Sequence, residues 1–386
     1  MKNKLTVFLS HFLVALLAIM ATLFIVMWQS AKNYSKLEQL EDLIVDRFIG
    51  ETDQTAMEDA AADAMVNALG DRWSYYIPAN EYAAYQEQMK NAYVGIGITV
   101  SATQDGTGIE VIKVTAGGPA EEAGILVGDV IVAIEGKSIS EIGADNVRDV
   151  IRGEEGTKVQ VTVLRDGKES SISVTRKQIQ TPVATWEMLP DNVGLITIAN
   201  FDARCASETI AAIEQLLGDG ATKLIFDVRY NPGGYKHELV DVLDYLVPEG
   251  LIFRSEFYDG TVEDENSDAK ELNVPMAVLV NGDSYSAAEF FAAALRDYDK
   301  AVIVGQQTCG KGYFQSTFQL GDGSAVGLSV GKYYTPKGVS LAGVGVTPDI
   351  VVDDLSTEIQ QGIYYGTLDP MEDPQILAAI DALAKQ

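Results

Sequence analysis

From Leu5 to Trp28 the chain carries no Lys, Arg, Asp or Glu and is mostly apolar. These 24 residues rise about 36 Å as a helix, enough for a hydrocarbon core of about 30 Å. The run predicts a transmembrane helix, with residues 1–30 as a signal anchor. Lys2 and Lys4 precede it, and positive charge favours the cytoplasmic side, so the remainder is expected outside. A cleaved signal peptide is the competing reading. Its apolar stretch is usually shorter, and no clear A-x-A site follows Trp28.

Residues 31–92 read as a helical segment. Leu37, Leu40, Leu43, Ile44 and Phe48 fall at helical spacing, and Ala56 to Leu69 repeats the pattern up to Gly70. Asn80 is placed to cap a helix from Glu81. Between 93 and 180 the period changes to two. YVGIGITVS and GIEVIKVT alternate, a short helix falls near Ala144–Ile151, and Asp166-Gly167 marks a hairpin. Residues 181–355 alternate apolar strands (VGLITIA, KLIFDVR, PMAVLVN, AVIVG) with helical stretches at Ala206–Leu217, Tyr235–Leu246 and Ala287–Leu295. That alternation predicts an α/β core with a mainly parallel sheet, crossover helices and chemistry at the strand ends. Residues 356–386 read as a tail with one helix, Pro374–Ala384.

Charge and rare residues then narrow the function. The net charge is −28, and the body beyond the first thirty residues is more acidic still. Such a surface repels a phosphate backbone, which argues against nucleic acid as a partner. Cys205 and Cys309 are the only cysteines, too few for a disulfide scaffold or a multi-Cys zinc site. The only histidines are His11, in the apolar run, and His237, on an expected helix. A Ser-His-Asp triad would have to use His237, so a hydrolase here needs another base. No metal or cofactor is expected.

A lysine can activate a serine if its pKa falls from about 10.4. Ser286 ends the turn NGDSYS and opens the helix AAEFFAAAL, so the Ala287 amide lies at a helix start, where a developing oxyanion is favoured. Ser284 competes with it for the position. Lys311 sits between Gly310 and Gly312 after the strand AVIVG. A third element, FDVRYNPGGY, runs a buried strand into two glycines whose backbone a ligand can approach closely. Each has an ordinary reading as well: an N-cap, a solvated loop and a strand-to-helix turn.

In this order the three elements resemble the C-terminal processing peptidases, or tail-specific proteases, and the resemblance runs over residues 60–352. FDVRYNPGG is similar to their D-L-R-x-N-P-G-G, NGDSYSAAEF to the S-A-S-A-S-E stretch and TCGKGYFQ to T-x-G-K-G-x-x-Q. LGDRWSYYIPANEYAAYQEQM resembles the helical lead-in, and KYYTPKGVSLAGVGVTPDIVV resembles the late strand pair. The resemblance implies a crotonase/Clp-protease-like core with Ser286 as nucleophile, Lys311 as general base and Gln315 orienting the lysine. It implies an oxyanion hole from Ala287 and either Gly233 or Gly234. Tyr230, Ala288, Cys309, Tyr313 and Phe314 depart from the family pattern.

The β-rich module resembles a circularly permuted PDZ domain. Tyr93, Val94, Gly95, Ile96, Gly97 and Ile98 match its carboxylate-binding loop and first groove strand. The implied function is an anchored, extracytoplasmic serine endopeptidase whose partners are proteins or peptides with apolar C-terminal tails. In some members of the resembled family the PDZ domain gates the site. The leading helices offer a surface for a homodimer. Competing readings are a non-catalytic anchored PDZ receptor on a dead protease fold and, less well matched, an acyl-CoA enzyme.

Overall fold

The computed structural model describes residues 11–22, 24, 35–103 and 105–385. It divides into two compact units, residues 1–72 and 73–386. In the first, residues 11–22 are helical. The anchor expected over 5–28 lies partly outside the described residues. Among these, no helix is long and apolar enough to cross a membrane. Two helices follow, Lys36–Arg47 and Gln54–Asn67. Ser35 caps the first through a reciprocal pair with Glu38, and Asp53 caps the second. Leu37, Leu40 and Leu43 are exposed on the first helix, which buries no residue.

The second unit opens with the strand Tyr75–Ile77 and the helix Ala79–Gln88. Asn80 is not its cap: the helix enters from the extended Pro78, with no side-chain cap, and Asn80 lies inside the first turn. A two-stranded stem, Ala92–Gly95 against Lys177–Gln180, then carries the β module. The module's sheet runs in the order Ile98–Ala102, Ile109–Val114, Val130–Ile134, Lys158–Arg165 and Lys168–Thr175, antiparallel throughout. Asp166 and Gly167 both have positive φ in the connecting hairpin, as a type I′ turn requires. Ile98–Ala102 is an edge strand, and the helix Val147–Ile151 contributes Val147 and Ile151 to the module's core.

The rest of this unit is built on a six-stranded sheet. Its order is Ala184–Leu189, Val193–Ile198, Lys223–Asp227, Met276–Val280, Ala301–Gly305 and Ile350–Val351, with the first pair antiparallel and the others parallel. Successive side chains face opposite ways. Ile196, Phe226 and Val278 meet the helices Cys205–Gly218, Lys236–Leu246 and Ala287–Asp297. Their neighbours Leu195, Ile225 and Ala277 meet Ile376, Ala379 and Leu383 of the helix Pro374–Leu383. The C-terminal helix is thus the second layer of the core. A further helix, Thr357–Tyr365, precedes it, so the tail holds two helices where one was expected.

A second, antiparallel sheet joins Tyr75–Ile77, Ala325–Tyr334, Gly250–Phe257 and Val262–Ser267, with Tyr313–Gln319 also paired to Ala325–Tyr334. It carries Gln315.

Candidate active site

The strand Met276–Val280 is wholly buried and ends at Asn281. Ser284 is spent there on structure. It is fully buried, donates to the Val228 carbonyl at 2.7 Å and accepts the Asn281 N–H at 3.0 Å. Ser286 differs. Its φ of 57° and ψ of −123° are strained for a residue with a Cβ, at a typical cost of about 1–3 kcal/mol. The helix Ala287–Asp297 starts at the next residue.

Glu289 fixes this turn. Its side chain is fully buried, and one oxygen accepts the Ser286 N–H at 3.0 Å and the Lys311 N–H at 2.8 Å. The other accepts the Thr308 hydroxyl at 2.5 Å and the Gly310 N–H at 2.7 Å. One carboxylate therefore holds the backbones of both Ser286 and Lys311. Burial pushes Glu289 above the usual carboxylate range, against the four donors that pull it down. Sequence reasoning missed this role. The signal was a Glu three residues after a serine that opens a helix, which reads as a capping box.

The Lys311 ammonium lies 4.8 Å from the ring centroid of Trp73 and 5.7 Å from that of Tyr285. These faces attract the cation and shield it from water. Trp73, in the lead-in segment, is a second residue at the site not singled out from sequence. Gln315 donates through Nε2 to the Ser329 hydroxyl at 3.0 Å. A β-bulge beside that pairing leaves Val330 as the extra residue.

The glycine turn completes the group. Asn231 is fully buried and accepts the Gly233 N–H at 2.9 Å, donates to the Ile198 carbonyl at 2.8 Å and accepts the Tyr285 N–H on its own carbonyl at 3.1 Å. A Cβ on Gly233 would come within 2.7 Å of the Ser286 Cβ, so the glycine turn lies directly against the Ser286 turn. Gly234, at φ 151°, backs onto Phe201, whose carbonyl carbon a Cβ would meet at 2.2 Å. Among the described residues no acceptor is bonded to the N–H of Gly234 or of Ala287. The Gly233 N–H is already taken, which leaves the Gly234 N–H as the one in this turn that could meet a ligand.

Gly234, Ser286 and Ala287 line a pocket with Leu239, Phe253 and Phe290. It holds about 10 Å³, room for about one water. Lys236 also lines it and is a rival base. Its ammonium is pinned by Glu265 at 2.7 Å and Glu263 at 3.2 Å. Burial lowers its pKa, but those two carboxylates outweigh it and the net shift is upward, which makes it a poor proton acceptor. His237 is largely exposed and stacks on Tyr235. Cys205 and Cys309 are not joined in a disulfide, and burial pushes Cys205 up.

The structure divides the tail-binding stretch in two. Tyr93, Val94 and Gly95 pair with Ile179, Gln178 and Lys177 in the stem, so they do not form the groove strand. Ile96 is fully buried, Gly97 turns the chain at φ 78°, and Ile98 opens the free-edged strand. Beside the stem lies a cleft of about 740 Å³, lined by Tyr93, Val94, Arg152 and Glu154. The Arg152 guanidinium lies 4.9 Å from the centroid of the Tyr93 ring.

Asp202 sits behind Gly234. It is 8% exposed, and its Oδ1 has no partner. Burial, followed by the negative charge of Glu238, pushes its carboxyl up to about 7. Tyr235 and Cys205 also face it. The native state thus keeps a proton that the unfolded chain releases near pH 4. Native stability is favoured below that value and falls as pH rises through about 7. Asp202→Asn is expected to remove the loss. Urea unfolding should show the variant and the unaltered chain alike near pH 4. At pH 8 the variant should be more stable by on the order of 2–4 kcal/mol. Equal stability at pH 8 would count against a neutral Asp202.

A mainly parallel sheet with a strained serine at a helix start, a lysine turn tied to it through Glu289 and a glycine turn beside the serine defines a serine hydrolase scaffold. Residues 192–352 match the profile of peptidase family S41, and residues 94–175 that of the PDZ domain. A protein of Staphylococcus saprophyticus assigned as a CtpA-like serine protease is 31% identical over 364 residues, covering 89% of this chain and 74% of its own length. A counterpart in Staphylococcus aureus strain N315 is 33% identical over 325 residues, covering 83% of this chain. The chain spans 65% of that relative. The solved structure of a candidate S41 protease from Bacteroides fragilis shares the fold, with a TM-score of 0.59 at 17% identity over 92% of this chain and 98% of that one. The chain belongs to peptidase family S41, alongside CtpA-like serine proteases, and carries a PDZ domain.

Proposed function

We propose that this chain is an endopeptidase of the C-terminal processing kind, working through a Ser286–Lys311 dyad. Neutral Lys311 takes the hydroxyl proton as Ser286 Oγ attacks the substrate carbonyl. The Ala287 and Gly234 N–H groups receive the oxyanion. An acyl-enzyme forms, and water attacks it with the same lysine assisting. Gln315, held by Ser329, orients the lysine in this reading. The observation that carries it is the Glu289 oxygen shared by the Ser286 and Lys311 amides. The narrow apolar pocket suits a small apolar side chain at the cut.

The PDZ domain would hold the substrate's C-terminal tail. The free edge of Ile98–Ala102 favours strand addition, and the 740 Å³ cleft is within the usual range for ligand sites. The run Leu5–Trp28 supports anchoring in the cell membrane with the catalytic unit outside the cytoplasm. The exposed Leu37, Leu40 and Leu43 suit pairing with a second copy.

The test compares the unaltered chain with Ser286→Ala on casein, with and without a peptide of apolar C-terminus. Cleavage by the first alone is expected. Peptide binding with no cleavage by either chain would leave a receptor instead.

A further inference from the structure

The PDZ domain is joined to the core through its stem alone in covalent terms, entering at Ala92 and leaving at Gln180. The stem's base is the pair Asn91 and Thr181, where the Thr181 N–H donates to the Asn91 carbonyl at 2.9 Å. One short loop grips that base. Asn200 and Asn91 exchange side-chain hydrogen bonds at 2.6 and 3.1 Å. Arg204, left-handed at φ 78°, donates to the carbonyls of Lys90 at 2.8 Å and Thr181 at 2.7 Å. Its own N–H is held by Glu238 at 3.0 Å.

Between these two residues lies Phe201. Its N–H donates to the Gly233 carbonyl at 2.7 Å, and its carbonyl accepts the Tyr235 N–H at 2.8 Å, forming a parallel bridge to Gly234. Its ring packs 5.7 Å from Phe291, on the helix that Ser286 opens. A loop of five residues thus has the PDZ stem on one side and the oxyanion turn on the other.

We infer that Asn200 and Arg204 are positioning residues for the oxyanion turn, and that Phe201 passes the position of the PDZ stem to Gly234. The inference rests on the reading of Ser286 as nucleophile. A donor serves an oxyanion only when held at about 2.7–3.1 Å from it. A displacement of about 1 Å can cost on the order of a hundredfold in rate. A tail seated in the PDZ domain and pulling on the stem therefore acts on kcat through this loop, without touching Ser286 or Lys311.

The test uses the full chain, a fluorogenic protein substrate and a synthetic peptide ending in apolar residues. Arg204→Lys keeps the charge but loses the fork that reaches two carbonyls. Asn200→Ser breaks the amide pair. Both variants are expected to bind the peptide and substrate within about threefold of the unaltered chain, while kcat falls roughly tenfold or more. The change in kcat that the peptide causes in the unaltered chain is expected to be lost in both. A general weakening of the fold would lower the active fraction but leave that response in what remains. A variant that keeps kcat within about twofold, or responds to peptide like the unaltered chain, overturns the inference. Should neither variant fold, hydrogen exchange on Ser286→Ala decides. Peptide is expected to change the protection of the Phe201 and Tyr235 amides, and unchanged protection with peptide bound overturns it. An unaltered chain that cuts no better than Ser286→Ala defeats the protease reading instead, and the exchange result still stands.

Discussion

Exchanging Lys311 for alanine is expected to lower kcat by roughly a thousandfold or more while the chain stays folded. The two described residues that could replace it as base are poorly suited. Lys236 lines the same pocket, but Glu263 and Glu265 hold its proton. His237 is largely exposed on the surface of its helix. The fold should survive because the Lys311 contact with Glu289 is made by the backbone N–H, which alanine retains. The lost contact with Trp73 and Tyr285 costs on the order of 1 kcal/mol. Lys311→Arg should not restore activity, because a guanidinium stays protonated at working pH and cannot act as the acceptor. In the unaltered chain the rate should climb with pH as the lysine loses its proton, and the residual activity of the alanine variant should lack that climb. Alanine retaining activity within about tenfold, or arginine matching lysine, would remove Lys311 from the mechanism.

Glu289→Ala is expected to damage site and fold together. It leaves three N–H groups and one hydroxyl without their acceptor in a buried setting. An unmet buried donor costs about 1–3 kcal/mol, so a loss on the order of 3–5 kcal/mol follows after relaxation. Glu289→Gln separates the two effects. Its one remaining oxygen can serve the Ser286 and Lys311 amides or the Gly310 amide, and its NH2 then faces a donor on the other side. We expect the melting temperature to fall less than in the alanine variant, and kcat to fall roughly ten- to a hundredfold with KM little changed. Thermal unfolding alongside steady-state kinetics checks this. Full activity in Glu289→Gln would mean that the two turns hold their places without the carboxylate.

Ser286 could be picked out because a strand pattern, a turn and a helix start converge on it, and sequence distance hides none of them. The choice between Gly233 and Gly234 could not be made that way. It depends on where the Asn231 side chain points, which no spacing encodes. Glu289 was hidden by a more common meaning, since a Glu three residues after a helix-opening serine usually just caps. Asn200 and Arg204 were illegible for another reason: their partners lie at Lys90, Asn91 and Thr181, across the whole inserted module. The strand Val262–Ser267 was masked by Glu263, Asp264 and Glu265. Those charges are tolerated at a sheet edge because Arg254 and Lys236 pair with them. The helix Thr357–Tyr365 has only nine residues with Gly362 among them, too short and too weak a pattern to announce a helix.

The two ends of the PDZ domain leave the core side by side, already bonded at Asn91 and Thr181. A chain segment entered and left at a single bonded pair behaves as a cassette. It can be lengthened, shortened or exchanged for another peptide-binding module without moving a strand of the catalytic sheet. Peptide recognition and peptide-bond cleavage can therefore drift separately over evolutionary time. What any substitute cassette has to preserve is the pair of chain ends that Asn200 and Arg204 grip.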